Sequence, residues 1–106
     1  MKLSTTTADL SGYAKNRAEQ LALFEGTGFR IFDLSLYTIN SPGSLYLEKN
    51  DEWKKEIEAV GIMAEKLGFS FCLCHGPSGQ FYNGEEERQN LILTTKRAIE
   101  ACAMLG

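Results

Sequence analysis

Three glycines at nearly equal spacing divide this chain into repeated units. Gly28, Gly68 and Gly106 lie 40 and then 38 residues apart, and a similar run of apolar and charged residues precedes each of them. Glycine adopts at little cost the left-handed conformation that ends a helix, so each unit is predicted to contain a helix that stops at or near its glycine. An internal repeat of this length indicates that one supersecondary unit is used several times.

The second and third helices have the clearest patterns, because their apolar residues recur every three or four positions and share one face. These residues are Trp53, Ile57, Val60, Ala64 and Leu67 in the second helix, and Leu91, Thr95, Ala98, Cys102 and Leu105 in the third. Asn50 before the acidic pair 51–52, and Asn83 with Glu86 three residues later, are start signals for these helices. The first helix is predicted over Tyr13 to Glu25 with a weaker pattern.

Three short segments have the length and composition of strands: Lys2 to Thr6, Phe29 to Ser35 and Ser70 to His75. The predicted order is therefore β-α-β-α-β-α, and strands separated by helices of this length run parallel. The links from strand to helix are long, about 36–49 and 76–83. In parallel α/β folds, ligands bind at the carboxyl ends of the strands, where such loops gather.

Residues 28–36, 64–69 and 74–77, taken in this order and spacing, resemble the sugar phosphate isomerase/epimerase family, which has the xylose-isomerase-like barrel. The resemblance implies an α/β fold in which parallel β-α units form the first three units of a TIM (β/α) barrel. Residues 1–106 would then be a single partial-barrel domain, because the later strands of the family fold are not in this chain. We therefore expect an N-terminal fragment of such an enzyme.

The resemblance also singles out site residues. In relatives the third strand commonly ends in a histidine followed shortly by a proline, matched here by His75 and Pro77, and the second strand ends in an acidic residue, matched by Asp33. His75 and Asp33 are the predicted catalytic residues, and His75, Tyr37 and Tyr82 are the predicted substrate contacts. A histidine capping a strand end, a loop-capping aspartate and aromatic loop anchors are the structural alternatives.

Strand alternation predicts which side chains share the open face of the sheet. The residues expected there are Ile31, Asp33, Ser35, Phe71, Leu73 and His75, whereas Cys72 and Cys74 are expected to face the helices. Because this alternation separates the cysteines from His75, it disfavours a zinc site in the segment 72–75. The exposed apolar residues on the open face would require a cover.

The family's reaction is a metal-assisted proton transfer beside a sugar carbonyl, on a small sugar or sugar phosphate. Its divalent metal (Mn, Mg or Zn) is bound mainly by later strands, so we expect no metal on this chain alone, and no turnover. One alternative is a non-catalytic half-barrel that forms a homo-oligomer through its open sheet face. A weaker alternative is a metal-dependent nuclease similar to apurinic endonucleases, in which the equivalent histidine binds zinc.

Composition limits the remaining function classes. A net charge of −3 with scattered basic residues argues against a nucleic-acid partner. No apolar run approaches the roughly 20 residues that span a bilayer, so no membrane role is expected. Three sparsely spaced cysteines fit a reducing compartment, and a secretory signal is not evident, so the cytoplasm is the expected location.

Overall fold

The computed structural model describes residues 3–106, which form a three-stranded parallel sheet with helices packed against one face. The strands are β1 (Ser4–Thr6), β2 (Ile31–Ser35) and β3 (Ser70–His75), in the order β1-β2-β3. The helices are α1 (Arg17–Ala22), α2 (Glu52–Leu67) and α3 (Glu85–Leu105), with 3-10 turns at Thr7–Tyr13 and Leu45–Leu47. The predicted α/β class and parallel strands are confirmed, while Lys2 of the first predicted strand lies outside the described residues.

Helix α1 is much shorter than predicted. The 3-10 turn Thr7–Tyr13 takes up the start of the expected segment, and the helix begins only where the Asn16 side chain accepts a hydrogen bond from the backbone N–H of Glu19 at 2.9 Å. After α1, the chain turns through two glycines with positive φ, Gly26 and Gly28. The Asn16 cap therefore sets the start of α1, and the glycine turn follows its end. The apolar pattern alone does not reveal either boundary.

Helix α2 agrees with its prediction. Asn50 Oδ1 accepts a hydrogen bond from the backbone N–H of Glu52 at 3.0 Å, which supplies a partner at the helix start. The helix ends at Gly68 with φ 73°, in the left-handed conformation. Its buried residues are Trp53, Ile57, Val60 and Ala64, four members of the predicted stripe.

Helix α3 packs through a stripe that is rotated from the predicted one. Its buried residues are Leu91, Thr94, Ala98 and Ala101. Thr95 and Cys102, both predicted to face the sheet, are exposed instead. Thr94 can be buried because its hydroxyl donates to the backbone carbonyl of Asn90 at 2.7 Å, so no polar group is left unsatisfied. The helix starts after Gly84, one residue beyond the predicted cap Asn83.

A β-bulge changes the alternation of β3. Phe32 of β2 pairs with Phe71, but the next residue, Asp33, pairs with Leu73, so Cys72 is the extra residue. Phe71 and Cys74 therefore both pack toward the helices. The prediction that Phe71 lies on the open face is wrong, because alternation fails across a bulge. Cys72, at the bulge, lines a cavity together with Cys102 and Leu105 of α3. Leu73 is on the open face as predicted, with 57% of its surface exposed.

The core lies between the sheet and the helices. Phe32 and Leu34 of β2 are buried there, which leaves the intervening Asp33 on the open side, as predicted. The ring of Phe32 lies 4.9 Å, between centroids, from those of Phe24 and Phe69. These edge and tilted contacts fix β2 under the helices, and so fix the position of its carboxyl end.

Candidate active site

The carboxyl ends of the strands are tied together by backbone and side-chain hydrogen bonds. Leu36 N–H donates to the carbonyl of His75 at 2.8 Å, and Ser35 N–H donates to Thr7 Oγ1 at 2.9 Å. The two long loops are joined where Ser78 N–H donates to the carbonyl of Tyr37 at 3.2 Å. The long strand-to-helix loops therefore meet at one edge of the sheet, the place predicted for a ligand.

Asp33 and His75 are brought together at this edge. Oδ2 of Asp33 lies 2.5 Å from Nδ1 of His75. A carboxylate can only accept, so a proton shared in this contact is carried by Nδ1, and the neutral form of the ring then has its lone pair on Nε2. The Asp33 side chain is 19% exposed and that of His75 is 58% exposed, so the imidazole projects from the sheet while the carboxylate anchors it.

The second carboxylate oxygen of Asp33 is a buried polar atom with no hydrogen-bond partner in the described part of the chain. Oδ1 is inaccessible to solvent and accepts no hydrogen bond from residues 3–106. Leaving such an atom unpaired costs about 1–3 kcal/mol, more for a charged group. A cost of this kind is typical of functional sites, where a group is held for a ligand and not for stability.

An ion pair not predicted from the sequence lies beside this site. Arg17 of α1 contacts Glu56 of α2, with Nη1 3.1 Å from Oε1, and its Nε donates to the carbonyl of Ser35 at 3.4 Å. Both side chains are mostly buried, at 21% and 16% exposure. In the sequence, Glu56 is noticeable only because it precedes Ile57 of the apolar stripe. A carboxylate next to an apolar helix position is too common to identify a site.

Tyr46 lies under this ion pair. The Arg17 guanidinium stacks over its ring at 5.4 Å from the centroid. Its hydroxyl is buried and makes no hydrogen bond of normal geometry within the described part of the chain. Burial, and next the negative charge of Glu56, raise the pKa of Tyr46 above its ordinary value of 10.0. Tyr46 is therefore a neutral phenol at physiological pH.

A cleft of about 520 Å³ opens in front of the Asp33–His75 pair. Most of the residues that line it have polar side chains, among them Thr6, Lys15, Arg17, Gln20, Ser35, Tyr37 and Glu56. Of the two tyrosines predicted to contact substrate, Tyr37 lines this cleft. Tyr82 lies in the loop before α3, is 97% exposed and does not line it, so its substrate role stays a prediction.

The residues at this edge do not form a metal centre by themselves. Within residues 3–106, no three His, Cys, Asp or Glu side chains are grouped so that they could hold a metal ion. The Asp33 and His75 side chains are directed at each other, and Cys74 points to the helix side of the sheet. A divalent ion of the kind that the family resemblance implies would need ligands in addition to these residues.

Comparison with known proteins leaves the family open. The chain matches no protein-family model, and neither a curated protein nor a solved structure matches it at a significant level. Over residues 3–106, no helix combines the length and apolar character needed to cross a membrane. Function must therefore be inferred from the geometry of the site.

Proposed function

We propose that this chain is the N-terminal part of a sugar or sugar phosphate isomerase or epimerase with a xylose-isomerase-like barrel. The observation that supports this best is the contact between Asp33 and His75 at the carboxyl ends of neighbouring parallel strands. Carboxylate–imidazole pairs at this edge of α/β folds commonly serve catalysis.

The proposed role of His75 is to contact the substrate, and to exchange a proton with it, through Nε2. Isomerisation and epimerisation require a proton to leave the carbon beside the sugar carbonyl, and a neutral imidazole nitrogen accepts protons near pH 7. Asp33 would hold the ring in the tautomer with Nδ1–H and stabilise the imidazolium that forms. A positioned base of this kind contributes about 10²- to 10⁴-fold to a rate.

The cleft composition supports a polyhydroxylated substrate. Thr6, Ser35 and Gln20 offer hydrogen-bonding groups suited to sugar hydroxyls, and Tyr37 offers an aromatic face for a sugar ring. Lys15 lies in the same lining and is exposed, so its ammonium is available to an anionic substituent such as a phosphate. A divalent ion would act only with ligands beyond Asp33 and His75, and the roles proposed for these two residues do not depend on it.

A second candidate is a non-catalytic module that self-associates through its open sheet face. The exposure of Leu73 on that face favours it, because contact with a second copy would cover this apolar side chain of the edge strand β3. In this alternative, Asp33 and His75 hold the strand ends together and have no catalytic role.

The test is a titration of isotopically labelled protein with aldose and ketose phosphates, followed by NMR with and without Mg²⁺. We expect saturable shifts of the His75 ring and of Tyr37. The shifts at Tyr37 should be lost in His75→Gln, whereas Tyr13→Phe, at an exposed tyrosine that does not line the cleft, should bind as the wild type does. Solvent deuterium appearing at the carbon beside the carbonyl would report proton transfer directly.

The tautomer of His75 gives a second, ligand-free readout. The ring nitrogen spectrum should show Nδ1–H in the wild type and a shift toward Nε2–H in Asp33→Ala, with Asp51→Ala as an exposed-carboxylate control. The absence of sugar binding, or binding that is unchanged in His75→Gln, would contradict the isomerase proposal. The self-associating module would then be the favoured function.

A further inference from the structure

The three cysteines of the chain gather on one side of the sheet edge, away from the Asp33–His75 cleft. Cys72, Cys74 and Cys102 are free thiols, and all three line a cavity of about 190 Å³ between β3 and α3. The rest of its lining is largely apolar: Leu34, Phe71, Leu73, Leu105 and Gly106. A small apolar cavity lined by several thiols is a candidate site of cysteine chemistry.

The packing of α3 on β3 sets two of these cysteines opposite each other. A Cβ added at Gly76, just beyond β3, would lie 3.9 Å from the Cβ of Ala98 on α3. Toward the start of β3, Phe71 lines the same cavity as Leu105, so α3 runs antiparallel to the strand. Four helical residues and two strand residues each advance the chain by about 6 Å. The step from Ala98 therefore brings Cys102 level with Cys74.

The third cysteine is held differently. Cys72 is the extra residue of the β-bulge, and its thiol is directed at the backbone carbonyl of Phe32, with Sγ 3.6 Å from the oxygen. Cys74, in contrast, packs against the core on the helix side, and Cys102 is exposed to solvent. Cys74 and Cys102 are thus a matched pair, one sheltered and one accessible, and Cys72 is a natural control.

The environment of the pair fixes the order in which the two thiols react. Burial, and next the neighbouring Cys102 thiol, raise the pKa of the Cys74 thiol to about 12. Cys74 is therefore protonated at neutral pH, and the exposed Cys102 meets a reagent in solution first.

We propose that Cys74 and Cys102 form a dithiol site that reacts with small-molecule disulfides and closes a disulfide bond between β3 and α3. The Cys102 thiolate attacks one sulfur of the small disulfide, forming a mixed disulfide and releasing one small thiol. Cys74 then loses its proton to solvent and attacks Cys102 Sγ, which expels the second small thiol. The two protein thiols lose two electrons, and the small disulfide gains them, so no further oxidant is needed.

Closure would tie α3 to the strand that carries His75. Cys74 directly precedes His75, so the bond would hold the end of β3 on its helix side while the imidazole stays on the open side. The dithiol site stands on the packing of β3 and α3 alone and does not depend on the proposed isomerase function.

The experiment is oxidation of the full chain in a buffer of reduced and oxidised glutathione, followed by alkylation of remaining thiols and peptide mapping by mass spectrometry. We expect an internal bond between Cys74 and Cys102, with the loss of two hydrogen masses, in the wild type and equally in Cys72→Ser. Cys102→Ser, a change at an exposed position, should keep the wild-type circular dichroism spectrum and form no internal bond.

The bond should also stabilise the fold. Oxidised Cys72→Ser should unfold at least about 5 °C above its reduced form, because the bond closes a long loop of the unfolded chain. An internal bond that includes Cys72, or glutathione adducts at Cys102 with no internal bond in Cys72→Ser, would overturn the proposal.

Discussion

Tyr46 carries a hydroxyl that its surroundings keep neutral. Its pKa is raised above the ordinary value of 10.0, so the stability that comes from the neutral form is complete below pH 10 and is lost as the pH rises further. In Tyr46→Phe this loss is absent, and the free energy of unfolding should fall less steeply above pH 10, by up to about 1.4 kcal/mol per pH unit. Urea unfolding at a series of pH values measures the slope.

Near neutral pH, Tyr46→Phe should be within about 1 kcal/mol of the wild type, because the hydroxyl makes no normal hydrogen bond within residues 3–106. The exposed Tyr37 provides the matched control, and Tyr37→Phe should keep the wild-type slope. The Cys74 thiol, whose pKa is also raised, is present in the wild type and in both tyrosine variants. Its contribution to the pH dependence of stability therefore cancels when the three proteins are compared. A steep alkaline loss that persists in Tyr46→Phe would contradict the role of burial at this ring.

The Arg17–Glu56 pair is the ion pair whose loss should be felt most. Arg17→Met leaves Glu56 mostly buried and without its partner, and we expect a loss of about 2 kcal/mol, below the full cost for a completely buried charge because both groups retain some solvent. Lys55→Met breaks the exposed Lys55–Glu52 pair and should cost no more than about 0.5 kcal/mol.

Chemical denaturation of the two variants measures both losses. Adding Glu56→Leu to Arg17→Met should recover part of the stability, since the unpaired charge is removed. Similar losses in Arg17→Met and Lys55→Met, or no recovery in the double variant, would show that the pair acts as a surface contact.

Among the helices, α2 depends on the glycine at its end. Gly68 has φ 73°, a conformation that side chains rarely adopt, so Gly68→Ala should destabilise the protein by about 1 kcal/mol. Gly12 is the control, because it has an ordinary φ and a Cβ there meets no atom of the described residues within 4 Å. Gly12→Ala should change stability by only a few tenths of a kcal/mol. Thermal unfolding of both variants makes the comparison, and equal effects would argue against a role for φ at Gly68.

Local signals explain which elements could be predicted from the sequence. Helix α2 has a side-chain partner at its start, an unbroken apolar stripe and a glycine at its end, so all three signals agree. Helix α3 was predicted in the right place, but its stripe was rotated, because a threonine whose hydroxyl bonds its own helix packs as an apolar residue. The sequence does not indicate that Thr94, and not Thr95, is the threonine that packs in the core.

The site was predictable only where it depends on strand ends. Asp33 and His75 could be identified because His75 ends β3 and Asp33 lies two residues before the end of the parallel strand β2, and the structure places them in contact. Arg17 and Glu56 come from different helices that meet only after folding, and neither interrupts an apolar pattern. The bulge at Cys72 was unpredictable for the same reason, because it is a property of the pairing with β2.

At the scale of the whole molecule, the open sheet face should govern association. Leu73 is 57% exposed there, and a charge at this position would oppose contact between two copies of the face. We expect the isolated chain to self-associate with rising concentration, and Leu73→Lys to shift it toward monomer. Light scattering over a concentration series measures the change.

Ile62 is the matched control for this prediction, because it is a similarly exposed aliphatic residue, at 69%, on α2, which packs against the opposite face of the sheet. Ile62→Lys should associate as the wild type does. A monomeric wild-type chain at all concentrations, or an equal shift in both variants, would show that the open face does not drive association.

The one-residue bulge in β3 decides which chemistry each side of the sheet receives. Without Cys72 as the extra residue, the strict alternation that begins at Phe71 would turn the His75 imidazole into the helix layer and the Cys74 thiol out into the cleft. One extra residue thus separates His75, the proposed proton-transfer group, from Cys74 of the proposed dithiol site, its neighbour in sequence. The two proposed sites therefore share one strand while opening on opposite sides of the sheet.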